Sequence, residues 1–172
     1  ISNNGRLKLN VAAFYIDWTD IQLGRTTIAD NDLAVSFTDN AGDAVSKGIE
    51  VEAIYIPFDQ LELGTSFTYN KATLESVLDG VDLTPGSTLP GSPEFSMSNY
   101  IQYVAEELPN NLAGYIRLSH RHVGEVVSDI INEDHLYSDT YNTFDLRAGL
   151  LYENYEVALY VDNLANNDAI TS

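Results

Sequence analysis

The sequence predicts an all-β fold: an antiparallel segment of a transmembrane β-barrel, built from about seven meandering strands. Three observations predict it. Apolar and polar residues alternate with a period of two along most of the chain, the first apolar stretch is long for a soluble strand, and the connections alternate short and long. Successive side chains of a strand point to opposite faces, so a period of two means a sheet with one apolar and one polar side. Alternation alone does not say which side is wet. A soluble sandwich turns its apolar face inward, whereas an outer-membrane barrel turns it to lipid and lines a lumen with the polar one.

The clearest element is the hairpin Gly48 to Asn70. Ile49, Val51, Ala53 and Tyr55 fall on one face of its first arm, with Glu50 and Glu52 on the other. Leu61, Leu63, Thr65, Phe67 and Tyr69 share a face of the second arm, opposed by Glu62, Gly64, Ser66, Thr68 and Asn70. Pro57 cannot donate to a ladder and suits the strand end before the turn. Upstream, Leu7 to Leu23 is about 17 residues long, against a usual 5–6. Leu7, Leu9, Val11, Ala13 and Tyr15 share a face, but Phe14, Ile16 and Trp18 occupy the other, which predicts a bulge or two covered faces. Arg25 to Asp32 reads as a polar loop, Leu33 to Phe37 as a short return, and Thr38 to Lys47 as loop or as the upper end of the next strand.

Downstream, Lys71 to Glu94 reads as a long loop rich in Pro-Gly and Asp-Gly turn chemistry. Phe95, Met97, Asn99, Ile101 and Tyr103 then alternate with Ser96, Ser98, Tyr100 and Gln102. Leu112 to Val127, Phe144 to Tyr152 and Tyr155 to Leu164 supply the remaining strands, and Ser128 to Tyr141 is an acidic loop. Connections are short at Pro57–Gln60, Glu106–Asn111 and Glu153–Asn154, and long at Arg25–Asp32, Lys71–Glu94 and Ser128–Tyr141. Short turns on one rim and long loops on the other are the habit of outer-membrane barrels, and a sandwich has no reason to keep that order. Tyr15, Trp18, Tyr55, Phe58, Tyr69, Tyr103, Tyr152 and Tyr155 near strand ends suit interfacial girdles.

Composition narrows the classes further. Eight Lys+Arg against 26 Asp+Glu give a formal charge of −18 over 172 residues. That field repels nucleic acid and anionic lipid surfaces. Eleven Tyr, six Phe and 44 % hydrophobic residues argue against disorder. With 0 Cys there is no disulfide framework or thiolate metal site. No apolar run approaches the length of a membrane helix, which leaves a membrane strand open. The chain starts at Ile1 with no leader pattern, so any signal peptide is expected to lie outside it.

The segments LNVAAFYIDWTDIQL (Leu9 to Leu23), SKGIEVEAIYIPFDQLELGTSFTYNKA (Ser46 to Ala72), LPGSPEFSMSNYIQY (Leu89 to Tyr103) and FDLRAGLLYENYEVALYVDNLANND (Phe144 to Asp168) carry a resemblance. In order and spacing the chain resembles the carboxy-terminal part of a TonB-dependent outer-membrane receptor. The resemblance implies Gly48-Ile49-Glu50 leading down to a periplasmic Pro turn, Leu89 to Pro93 opening a descending strand, and Asn163-Leu164 closing the penultimate one. It implies a parent barrel of about 22 strands. The chain is then expected to be a piece, residues 1–172, without the family's plug domain, TonB box and final strand. The implied role is import of a scarce nutrient across a Gram-negative outer membrane. The implied partners are the inner-membrane TonB complex (through the plug), a small-molecule or oligosaccharide ligand, and outer-membrane lipid. A passive porin-like channel and a soluble secreted β-sandwich binding glycan or calcium are the rival readings.

Candidate ligand-contacting residues are the charged positions opposite the apolar face: Glu50, Glu52, Arg117, Arg121, Asp145 and Arg147. In a barrel these line the lumen, and opposite charges on neighbouring strands are expected to pair. A solvated, salt-bridged wall is the plainer account and outweighs a ligand role, because exposed charges mostly contribute little. His120 and His122 share a face and could form a metal pair, but the ligand count is short beyond Glu125. The acidic groups Asp30/Asp32, Asp79/Asp82 and Asp129/Glu133/Asp134 lack the EF-hand pattern for calcium. No cofactor is expected, and no catalytic residue is assigned: the motifs of hydrolases and P-loops are absent, and Ser119 points away from His120. Scarce basic residues lean against anionic ferric siderophores as ligand.

Overall fold

A computed structural model describes residues 5–28, 33–78, 84–131 and 134–168. The described residues form nine strands: β1 (Leu7–Ile28), β2 (Ala34–Phe58), β3 (Leu61–Val77), β4 (Phe95–Leu108), β5 (Leu112–Val123), β6 (Val126–Ile131), β7 (Asp134–Ser138), β8 (Tyr141–Tyr152) and β9 (Tyr155–Val161). Seven of them form one antiparallel sheet in the order β1-β2-β3-β4-β5-β8-β9, and β6 with β7 makes a separate two-stranded hairpin. The main sheet is an open meander in which β1 and β9 are edges.

Register decides the faces. Leu9, Ala53, Thr65 and Asn99 are opposite one another in sequence across β1 to β4, and so are Val11, Val51, Phe67 and Met97. Opposed residues share a face, so the apolar arms of all the hairpins line up on one side. No second sheet covers that side among the described residues. Val157, Leu159 and Tyr155 are 70–77 % exposed. A soluble sandwich would bury this surface, and the sandwich reading fails on it. Tyr15, Tyr55, Tyr69, Tyr103, Tyr152 and Tyr155 all lie on the apolar face near its ends. Trp18 does not: it is opposite Ala44 on the polar face, so it is no part of an outer girdle.

Several expected loops are strand instead. Arg25 to Ile28 remains in β1, and Thr38 to Lys47 is the upper part of β2. Small polar residues have weak strand preference, but each finds a ladder partner on a neighbouring strand, and pairing overrides propensity. The phase break in β1 comes after Trp18, where Asp20 takes a φ of 54° and the register shifts twice. Gly42 lies across this bulge with a φ of 134°, and a Cβ there would strike the Ser76 carbonyl. Only glycine permits that approach.

At the far end of the sheet the 71–94 segment is not one loop. Lys71 to Val77 continues β3, and the connection then folds back along it through a Thr73–Thr88 bridge. The Leu74 N–H donates to the Ser87 carbonyl (2.9 Å), and the Leu89 N–H donates to the Ala72 carbonyl (3.0 Å). Leu89 closes a small buried cluster with Ala44 and Leu74, flanked by Ile21, Leu23, Ala72 and Val77. The expected strand to Val127 instead ends at Val123, and Ser128–Tyr141 contains most of the β6–β7 hairpin. Gly91 donates to the Val127 carbonyl (2.8 Å), tying the folded-back connection to that hairpin.

Two outcomes follow from this packing. The exposed apolar face makes the chain monodisperse only in detergent; a sharp β-rich monomer in plain buffer by size exclusion would contradict it. Leu89→Ala should cost about 2 kcal/mol or more at the folded-back connection. It should raise protease cleavage between residues 78 and 94 in detergent-solubilised protein.

Candidate functional site

The polar face of the main sheet is assembled from alternate residues of every strand. It carries Glu50 and Glu52 on β2, Glu62 and Gly64 on β3, Tyr100 and Gln102 on β4, Tyr115, Arg117 and Arg121 on β5, Asp145 and Arg147 on β8, and Glu156 on β9. All six candidate residues therefore share one face. Hydrophobic alternation determined this, because once the apolar arm is placed the charges have only the other side.

Two tyrosines organise the face. Tyr100 is directly opposite Gly64, and a Cβ on Gly64 would collide with its ring. Tyr115 stands in the same relation to Gly149. Each ring lies down over the missing side chain, so its hydroxyl reaches a charged residue further along the sheet. The Tyr100 hydroxyl donates to Glu62 Oε1 (2.6 Å). The Arg117 guanidinium stacks 3.7 Å above the Tyr100 ring and donates through Nη1 to Gln102 Oε1 (3.3 Å). The Tyr115 hydroxyl donates to Glu156 Oε1 (2.7 Å) and accepts from Arg147 Nε (2.8 Å). Arg147 also pairs with Glu156 at 3.3 Å.

Arg117 and Arg147 are directly opposite in the ladder, a like-charge pair that on its own is destabilising. The Tyr100 ring under one and the Tyr115–Glu156 pair beside the other offset it. The expected direct pairing of opposite charges on adjacent strands occurs on this face only between Arg147 and Glu156 among the described residues. Elsewhere neutral groups intervene. Glu52 accepts from Asn10 Nδ2 (2.8 Å), and Asp145 Oδ1 accepts the Asn163 N–H (2.8 Å), fixing the end of β9. Arg121 and Glu50 make no side-chain hydrogen bond or ion pair among the described residues.

Arg117, Asp145, Arg147, Tyr115, Gln102 and Tyr160 border a depression of about 560 Å³. A second, of about 220 Å³, joins Glu52 to Arg117 around Tyr100. The structure thus brings Arg117, Asp145 and Arg147 together, places Glu52 at the adjoining hollow, and sets Arg121 nearer the long-loop end. Glu50 is not gathered into either. Tyr100, Tyr115, Gln102 and Glu156 were not singled out from the sequence. The available signal was Gly64 and Gly149, since glycine inside a strand marks a close approach.

The histidines belong to the opposite face. A donor chain runs from Thr65 Oγ1 to Asn99 Oδ1 (2.7 Å), Asn99 Nδ2 to His120 Nδ1 (3.2 Å), and His120 Nε2 to Asn142 Oδ1 (3.0 Å). His122 Nδ1 donates to the same Asn142 oxygen at 3.0 Å. This direction assigns His120 the Nε2–H tautomer. Its ring stacks on Phe144 at 4.6 Å. Both nitrogens of His120 are thereby occupied by amides, and the pair acts as cross-strand polar mortar rather than as metal ligands. The acidic positions Asp30, Asp32, Asp79, Asp82 and Glu133 lie outside the described residues, and the side chains of Asp129, Asp134 and His135 are likewise not described.

Residues 2–164 match the family model described as TonB dependent receptor-like, beta-barrel. None of the curated proteins matches. Among solved structures, the chain is similar to the ferric yersiniabactin uptake receptor FyuA from Yersinia pestis, with a TM-score of 0.74, 22 % identity, and coverage of 97 % of this chain and 24 % of that one. It is also similar to the siderophore receptor PiuA from Acinetobacter baumannii, with a TM-score of 0.70, 16 % identity, and coverage of 98 % and 23 %. The chain spans about a quarter of the length of these receptors.

The seating of Tyr115 over Gly149 is directly testable. Gly149→Ala should cost about 1–3 kcal/mol by overpacking. Adding Tyr115→Leu should recover most of that in thermal unfolding in detergent. A neutral Gly149→Ala would mean the ring does not rest there.

Proposed function

The chain belongs to the β-barrel family of TonB-dependent receptors, and from that premise we propose that it is part of the wall of a nutrient importer in a Gram-negative outer membrane. The receptor captures a small, anionic metal chelate of the siderophore kind with its long loops and passes it along the lumen, powered by the inner-membrane TonB complex through a plug domain. Residues 1–172 are one portion of that receptor's barrel, the plug and the closing strand belonging to other parts of it. The chain acts as a selective wall.

The observation that carries this reading is the gathering of Arg117, Arg121 and Arg147 on the lumen face of the adjacent strands β5 and β8. A formal charge of −18 argues against an anionic ligand only if charge is spread evenly. Three of the eight basic residues instead lie on one face: Arg117 and Arg147 border the 560 Å³ depression, and Arg121 stands further along β5 toward the long loops. Guanidinium groups hold planar anionic groups in a bidentate manner, and in a confined lumen their field is less screened than on an open surface. Arg121, without a partner among the described residues, is the group most free to meet a passing anion. The names of the two similar structures, a ferric yersiniabactin uptake receptor and a siderophore receptor, support the same substrate class.

The full-length receptor, expressed in cells lacking their own receptors, should take up radiolabelled iron delivered as an anionic siderophore, and only when TonB is present. Arg121→Gln should slow that uptake several-fold while leaving the receptor in the membrane at normal level. Uptake that persists without TonB, together with rapid liposome swelling by the purified protein, would establish a passive channel instead.

A further inference from the structure

The outward face of β1 to β3 changes character within one step of the ladder. Ala13, Ile49, Tyr69 and Phe95 form an apolar row across four strands. The next outward row toward the long loops is Tyr15, Lys47 and Lys71. Lys47 and Lys71 are directly opposite each other and exposed. Like charges placed so are destabilising, and the natural remedy is a counter-charge. None is supplied: neither lysine makes a hydrogen bond or ion pair among the described residues. Asp17 shares the face but stands diagonal to Lys47, opposite Val45, without closing to ion-pair distance.

The height of the pair gives its surroundings. Leu61 begins β3 at the short periplasmic turn, and Lys71 stands about ten residues further along the strand. A tilted membrane strand crosses the hydrocarbon in about 9–11 residues. The lysines thus emerge where hydrocarbon gives way to outer-leaflet headgroups, with Tyr15 and Tyr69 beside them at the depth interfacial rings favour. Long stems let both ammonium groups reach upward from the apolar surface. In a chain so rich in carboxylates, two unpaired ammonium groups facing lipid at headgroup depth are an anion site.

We propose that Lys47 and Lys71 together hold the phosphate of an outer-leaflet lipid headgroup against the barrel wall. The pair shares one phosphate, whose negative charge relieves the repulsion between them, while the acyl chains lie along Ile49 and Tyr69. The overall acidity predicts repulsion from anionic lipid surfaces; at this place the two local cations outweigh it, because at contact distance they lie nearer the phosphate than the loop carboxylates do.

The test uses the full-length receptor in an uncharged detergent, titrated with diphosphorylated lipid A and with the same lipid stripped of phosphate, and read by native mass spectrometry. Wild type should retain the phosphorylated lipid and not the stripped one. Lys47→Gln/Lys71→Gln should lose it on the order of tenfold, and Lys47→Arg/Lys71→Arg should keep it. Heat-modifiable gel mobility checks folding, and the single variants Lys47→Gln and Lys71→Gln carry the same comparison if the double variant does not fold. Equal retention by wild type and the glutamine variants, or equal binding of the stripped lipid, overturns the proposal. So does displacement of the lipid by millimolar inorganic phosphate, which would make this a site for free phosphate.

Discussion

A strand in hydrocarbon has no water to satisfy its N–H and C=O groups, so every one must be met by a neighbouring strand. Most of this structure follows from that requirement. It accounts for the unbroken meander β1-β2-β3-β4-β5-β8-β9, and for the absence of any helical layer over the sheet among the described residues. Because the ladder is obligatory, the pleat assigns each residue to lipid or to lumen, and all the side-chain chemistry is distributed by that rule.

Within the rule, the two faces handle polar groups differently. On the lumen side, charges are kept apart by tyrosines laid over glycines, so that Arg117 and Arg147 can sit opposite each other without a carboxylate between them. Water can reach these groups, and incomplete pairing is tolerable. On the lipid side, polar atoms have no such recourse. Thr65, Asn99, His120, Asn142 and His122 satisfy one another in a single donor chain that crosses from β3 to β8. The same residue types at the same spacing would look like a metal site if read without their strand neighbours.

At the long-loop end the constraint relaxes. There the chain builds a small core of its own, Leu89 against Ala44 and Leu74, and ties the 78–94 connection to the β6–β7 hairpin through Gly91 and Val127. Backbone outside the membrane can form turns and bulges, as the shift between Trp18 and Gln22 shows. These bulges let β1 and β2 extend well past the membrane depth while changing which residues face inward.

Period-two alternation in the sequence placed most of the strands and sorted their residues onto two faces, because burial on one side only is a local property written every second residue; the family was legible from the resemblance of four segments, not from the alternation. The alternation placed Glu50, Glu52, Arg117, Arg121, Asp145 and Arg147 on one face for the same reason. It could not show that Thr38–Lys47 is strand, since small polar residues there take their conformation from β1 and β3. Nor could it show the 73–88 bridge, the Tyr100 and Tyr115 seats, or the encounter of Lys47 with Lys71. Those depend on which residues are brought opposite one another from positions 15 or more apart in the chain. Register is a property of the assembled sheet, and only the tertiary structure decided it.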